Sequence, residues 1–310
     1  MIVEINNLVK RFSEVMAVDH VSINIAEGEI FGLLGPNGAG KTTIINTLMG
    51  LTKVNSGAIK IFGMDIKAHE MAIKKQIGIV PQDIAIYEDL TVNENLSYFG
   101  KLYGLKGSLL KGRVNEALEF SGLSDKGKEY PKKFSGGMKR RLNIACAIVH
   151  KPKLIIMDEP TVGIDPQSRS HILQSVKELN KTGSTIIYTS HYMEEVEEIC
   201  TQIVIIDHGR IIARGTKEEL KSMVAVDDRI SIELSSVNDT IIDSIKKIQD
   251  VLECGISGNL ISIISKKNSK NLCWIIDCIS GTDSKITSLN IEKPSLEGVF
   301  LTLTGRSLRD

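Results

Sequence analysis

The stretch GEIFGLLG at 28–35 is an apolar run that passes directly into Gly35-Pro36-Asn37-Gly38-Ala39-Gly40-Lys41-Thr42-Thr43. The residues after Lys41 (TTIINTLMG) have helical spacing. A strand that enters a glycine loop and leaves as a helix makes a phosphate cradle. Its backbone N–H groups wrap α- and β-phosphates, Lys41 reaches the β- and γ-phosphates, and the Thr42 hydroxyl holds Mg²⁺. A chance glycine-rich turn would not carry both the strand before it and the helix after it.

That loop predicts an α/β chain, and the remaining apolar runs agree. LIIMDE at 154–159 and STIIYTSH at 184–191 are short and continuously apolar, as strands buried on both faces of a parallel sheet are. Residues 203–216 read as a hairpin. Between about 83 and 150 the strand runs vanish and helical segments dominate, which predicts a helical subdomain inserted in the α/β core. The composition changes near KSMVAVDDR at 221–229. Beyond it the order β-α-β-β-α-β matches the split βαβ plan, closed by a helix around 295–304. We therefore expect two domains, 1–222 and 223–310, the second a small α+β domain.

Composition removes several function classes. The 310 residues carry 38 Lys+Arg against 38 Asp+Glu, so no global field draws the chain to nucleic acid or an anionic membrane. The start, MIVEINNLVKRF, lacks the apolar stretch of a signal peptide, and no apolar run is long enough to span a bilayer. A cytosolic chain is expected. The five cysteines form no C-x-x-C pair and their odd number argues against a disulfide framework, so buried reduced thiols are expected.

Candidate chemistry gathers at strand ends. Asp158 closes an apolar strand where a second Mg²⁺-holding carboxylate belongs, and Glu159 after it can orient or deprotonate an attacking water. Two adjacent acids at a strand end are as often simply solvated. Gln82, following IGIV-Pro81, has an amide that can sense both metal and water, and His191 can donate to a γ-phosphate and bridge to Glu159. A lone histidine after a strand is more often structural. Phe12 can stack on adenine, although a packing role fits its position equally well. In FSGGM at 134–138, Ser135 caps a helix whose first turn holds Gly136 and Gly137, an arrangement that invites an anion. The run Lys139, Arg140, Arg141 reads as a solvated helix face.

Taken in order, GPNGAGKTT, PQD at 81–83, FSGGM, LIIMDEP at 154–160, GID at 163–165 and TSH at 189–191 resemble the nucleotide-binding subunits of ABC transporters across about residues 1–222. The resemblance implies a P-loop NTPase fold of the ABC type with ATP and Mg²⁺ as cofactors. It also implies a head-to-tail dimer in which Ser135, Gly136, Gly137 and Asp165 act on the nucleotide of the partner copy. Lys41, Thr42, Gln82, Asp158, Glu159 and His191 act in cis. The family's commonest signature has glutamine where this chain has Met138, so a glutamine contact to the nucleotide sugar is expected to be missing. PSLEGVFLTLTG at 294–305 resembles the closing motif of ATP-binding subunits of daunorubicin-resistance type exporters. Such a subunit would work on the cytoplasmic face of the membrane with a separate ABC-2 permease. The alternatives are a soluble ABC-type ATPase acting on nucleic acid or ribosomes, and a non-transport ATP-binding regulator. Long coiled-coil insertions and a second cassette, which mark the former, do not occur in the sequence.

Overall fold

The computed structural model describes residues 1–223, 228–236, 239–266, 271–282, 284–292 and 295–305. Part of the 221–229 transition and Pro294 of the closing motif lie outside the described residues. The chain forms two compact units. One is Met1–Glu218 together with the described residues from Leu303, and the other is Glu219–Thr302.

The first unit runs β1 (Val3–Phe12), β2 (Val15–Ile25), β3 (Ile30–Leu34), α1 (Lys41–Leu48), β4 (Ser56–Ile61), β5 (Met64–Asp65), α2 (Ile66–Lys74) and β6 (Ile77–Val80). Then come α3 (Val92–Leu102), α4 (Gly107–Ser121), α5 (Gly136–Ile148), β7 (Leu154–Asp158), α6 (Pro166–Lys181), β8 (Thr185–Ser190), α7 (Met193–Ile199), β9 (Gln202–Asp207) and β10 (Arg210–Gly215), and the chain passes into the second unit within α8 (Lys217–Met223). Six strands make one sheet in the order β10-β9-β3-β8-β7-β6. Every residue of β3, β7 and β8 is buried, which explains why these strands read as unbroken apolar runs. Their parallel register brings Leu34, Val80, Asp158 and Ser190 to one edge, the edge where α/β sheets bind ligands.

A second, antiparallel sheet of order β2-β1-β4-β5 was not apparent from the sequence. Its pairing is broken by several register shifts, and Asn7, Ser13 and His20 have positive φ. Each irregularity flips the alternation on which a strand assignment depends. The sheet shares a core with α1 and one face of the parallel sheet, through Ile5, Ile23, Ile44, Leu48 and Ile61. Each such fully buried side chain stabilises the fold by roughly 1.5–3 kcal/mol.

The described residues 83–150 hold helices and no strand. Thr91 and Glu94 form a capping box at the start of α3, and Val92, Leu96, Val114, Leu118, Leu142 and Cys146 build a separate helical core. Met138 packs against that core. Behind it the His150 ring stacks on Tyr103 with centroids 3.5 Å apart. Burial pulls the His150 pKa down to about 4, with a smaller opposing effect from the Ile77 backbone. Between pH about 6.5 and 4 the unfolded chain binds a proton that the folded chain refuses, so stability is full above this window and falls as the pH drops through it. The loss is expected to be no more than about 3 kcal/mol, reduced further by whatever part of the ring water reaches. Urea unfolding at successive pH values should show it, and the His150→Phe variant should lack this component.

The second unit contains β11 (Asp228–Leu234), α9 (Asp239–Lys246), β12 (Val251–Ser257), β13 (Leu260–Ser265), α10 (Asn271–Ser280), β14 (Ile286–Glu292) and α11 (Leu296–Thr304) as far as Thr302, with sheet order β12-β13-β11-β14. This is the split βαβ arrangement. Ile230, Ile232, Ile261 and Ile263 of the sheet pack against Ile241, Ile245, Ile275 and Ile279 of the helices. Ile286, Leu289 and Ile291 pair with core-facing residues of β11 yet stay 37–41% exposed, because β14 is an edge strand.

The expectation for the cysteines needs correcting. All are free, but only Cys146 and Cys200 are buried; Cys254 and Cys278 are half-buried and Cys273 is exposed. The last three belong to the small second unit, which has less interior to hide them in.

Candidate nucleotide site

The glycine loop joins β3 to α1, and each bare position has a structural cause. Gly40 has φ +108°, and a Cβ there would lie 2.4 Å from the Ala17 carbonyl of β2. Backbone presses so closely on Gly40 that no side chain fits there. Lys41 opens α1 and is buried; its ammonium donates to the carbonyls of Gly35 (2.7 Å) and Pro36 (3.2 Å). Burial lowers the Lys41 pKa, against the pull of Glu159 and Asp158. Gly35, Pro36 and Ala39 are buried, Asn37, Gly38 and Thr42 are exposed, and Thr43 is intermediate. The Thr42 residue therefore stands at the open side of the first helical turn.

Asp158 ends β7 and accepts a 2.6 Å hydrogen bond from Thr189 Oγ1 on β8. Burial raises its pKa and the neighbouring Glu159 raises it further, while Thr189 and Lys41 act the other way. Glu159 has φ +46°, a left-handed conformation that costs a glutamate of the order of 1–3 kcal/mol. Its N–H donates to Thr189 Oγ1 at 2.9 Å. The turn lets both acids face one place, where a straight strand would send them to opposite sides. Glu159 Oε1 lies 3.8 Å from Lys41 Nζ, and Glu159 Oε2 lies 3.4 Å from His191 Nδ1. Lys41, Asp158, Glu159 and His191 are thus brought together. Thr189, which holds both acids, was missed in the sequence because its hydroxyl is one of many on buried strands.

Gln82 is exposed, two residues beyond β6. Its carbonyl and that of Pro81 accept from the two terminal nitrogens of Arg140 at 2.6 and 2.8 Å. Arg140 is 3% exposed, so the reading of a solvated basic face is overturned. Lys139 pairs with Glu88, and Arg141 donates to the Ser121 carbonyl. All three basic residues of the run tie α5 to neighbouring chain. The available signal was spacing: Gly137, Arg140 and Ile144 recur at i, i+3, i+7 on one buried helix face.

Ser135, Gly136, Gly137 and Asp165 form a second group. Ser135 caps α5 by accepting from the Met138 N–H, and Asp165 caps α6 by accepting from the Ser168 N–H at 2.9 Å, which lowers its pKa. A Cβ on Gly136 would meet nothing closer than Ile164 Cδ1 at 3.9 Å. On Gly137 it would fall 2.2 Å from Ser168 Oγ and 3.6 Å from Asp165 Oδ2. Anion access alone does not account for both glycines. Gly137 is bare because the first turn of α6 occupies the space. Phe12, at the end of β1, is 48% exposed, with the Lys10 ammonium 4.4 Å from its ring centre.

No group of three or more His, Cys, Asp or Glu able to hold a metal occurs among the described residues. A hydroxyl and one carboxylate beside a phosphate loop suit instead a hard cation that takes its remaining ligands from phosphate and water. No helix among the described residues is long and apolar enough to cross a membrane.

A family model described as ABC transporter matches residues 18–162. The chain is 46% identical to the linearmycin resistance ATP-binding protein LnrL of Bacillus subtilis (strain 168), over 98% of each chain. It is 32% identical to a daunorubicin resistance ATP-binding protein of Streptomyces coeruleorubidus, covering 97% of this chain and 95% of the relative. Among solved structures it is similar to cbiO1 from Clostridium perfringens, described as part of the ABC transporter complex cbiONQ. That match has a TM-score of 0.67 and 30% identity, over 71% of this chain and 90% of that one.

Proposed function

Because this chain belongs to the ATP-binding subunits of ABC transporters, in the group of exporter ATPases, we propose that it works as a nucleotide-sandwiched homodimer driving a separate ABC-2 type permease at the cytoplasmic face of a membrane. The single observation that carries the catalytic reading is the convergence of Glu159 with Lys41 (3.8 Å) and His191 (3.4 Å) at the carboxyl ends of parallel strands. Lys41 leaves the Gly35 and Pro36 carbonyls to meet β- and γ-phosphate oxygens, which suit a buried ammonium better than two neutral carbonyls do. Glu159 accepts the proton of the attacking water, and its strained turn aims the carboxylate before substrate arrives. His191 holds that carboxylate from the other side and donates to the γ-phosphate.

Thr42, Gln82 and Asp158 would hold Mg²⁺, which when bound neutralises charge developing on the phosphates. Phe12 offers its ring face to adenine. Ser135, Gly136, Gly137 and Asp165 complete the partner copy's site; several charge-assisted contacts per site are needed, since one helix dipole supplies only about 0.3–1 kcal/mol. Two of the relatives are named for resistance to linearmycin and to daunorubicin, which supports export as the direction. The permease would meet the exposed side chains of Ile84, Tyr87 and Tyr98, on a segment pinned by Asn95, whose amide bonds Tyr87, Leu90 and Thr91.

The test is capture of the full chain from detergent-solubilised membranes of its native cell. An integral membrane protein should co-purify in stoichiometric amount. Recovery of the chain with no membrane subunit would overturn the permease assignment.

A further inference from the structure

Beneath the site lies a buried carboxylate that the hydrolytic steps above do not use. Glu195 of α7 is 2% exposed. Its Oε2 accepts three hydroxyls: Thr161 Oγ1 at 2.8 Å, Tyr188 Oη at 2.9 Å and Ser190 Oγ at 2.8 Å. Its Oε1 faces Arg169 Nε of α6 at 3.4 Å, and the Arg169 guanidinium lies 4.4 Å over the ring of Tyr192.

These partners are not scattered. Thr161 sits in the turn between Glu159 and Asp165, where the Glu159 carbonyl accepts from Val162 and the Thr161 carbonyl accepts from Ile164. Ser190 and Tyr192 flank His191, and Ser190 Oγ also accepts from the Tyr192 N–H at 2.9 Å. Arg169 follows Asp165 by one helical turn. One carboxylate therefore joins the segment that bears His191 to the segment that runs from the catalytic carboxylate to Asp165. From this geometry we propose that Glu195 is a positioning residue, locking the His191 segment and the Glu159–Asp165 turn into one unit so that they respond together to the γ-phosphate. This rests on the proposed ATPase reading of the site.

A charge held by three hydroxyls and one cation is costly to break and so maintains a single arrangement. At 3.4 Å the Arg169 contact is longer than the about 2.7–2.9 Å of a tight charged hydrogen bond, and neither Arg169 Nε nor Glu195 Oε1 has a hydrogen-bond partner among the described residues. The link has room to shorten on one side while its hydroxyl side stays fixed.

The test uses the full chain with Glu195→Gln, Thr161→Val and the double variant, measuring Mg-ATP hydrolysis, ATP affinity and thermal stability. Glu195→Gln is expected to lower kcat about 10- to 100-fold, as small misplacements of reacting groups do, with KM changed less than about threefold. Thr161→Val should act in the same direction, and the double variant should be no worse than the more severe single, because both break one link. A lowered melting temperature with unchanged kcat per folded molecule would make Glu195 purely structural and overturn the inference, as would effects that simply multiply. Should Glu195→Gln fail to fold, Thr161→Val and Ser190→Ala each remove one hydroxyl, and unchanged kcat in both would overturn it. A parent chain that hydrolyses no Mg-ATP removes the proposed function and this inference with it. An active parent beside an equally active variant removes this inference alone.

Discussion

Glu159→Gln is expected to lower ATP turnover by about 10²- to 10⁴-fold while ATP remains bound, the range by which a positioned general base accelerates such a step. The substitution keeps the side chain's size and the backbone turn at φ +46°. It removes the one property required, the capacity to take a proton from water. His191, 3.4 Å from the carboxylate, would then hold an amide instead. Because nucleotide is retained and not split, the variant should accumulate as a dimer with Mg-ATP and return to monomer with ADP. Size-exclusion chromatography with light scattering reads both states. Monomer at all Mg-ATP concentrations would overturn the composite site formed with Ser135, Gly136 and Gly137 of a second copy.

Lys41→Ala should abolish productive ATP binding. Each hydrogen bond between an ammonium and a phosphate oxygen contributes roughly 1.5–3 kcal/mol, so loss of the contacts to two phosphates weakens affinity by about 10²-fold or more. The variant should stay folded. Burial already lowers the Lys41 pKa, which means the folded chain holds this charge at a cost. Isothermal titration with ATP separates the outcomes, and unchanged affinity would contradict the assignment of residues 35–43 as the phosphate loop.

The parallel sheet was legible because β3, β7 and β8 are buried on both faces and so carry apolar side chains without alternation. The second unit was legible through Ile241, Ile245, Ile275 and Ile279, which recur at helical spacing between alternating strands. The antiparallel sheet of β1 and β2 was not, since its bulges and positive-φ residues erase the period-two signal. Arg140 looked like surface because a basic run looks alike whether its cations meet water or carbonyls. Only the packing of α5 against residues 81–82 separates the two.

Local order along the chain determined where a phosphate can be held. A strand, a bare-backbone turn and a helix N-terminus are adjacent in sequence, so one short window carries the pattern. The sequence also placed Asp158, Glu159 and His191 at strand ends, because an apolar run has to stop where polar groups begin. Tertiary structure alone decided which of these side chains meet. Asp158 and Thr189, 31 residues apart, touch because β7 and β8 pair in one register, and Glu195 reaches both arms of the site because α7 folds back beneath them. Such contacts depend on long-range register and burial, and no window of neighbouring residues contains them.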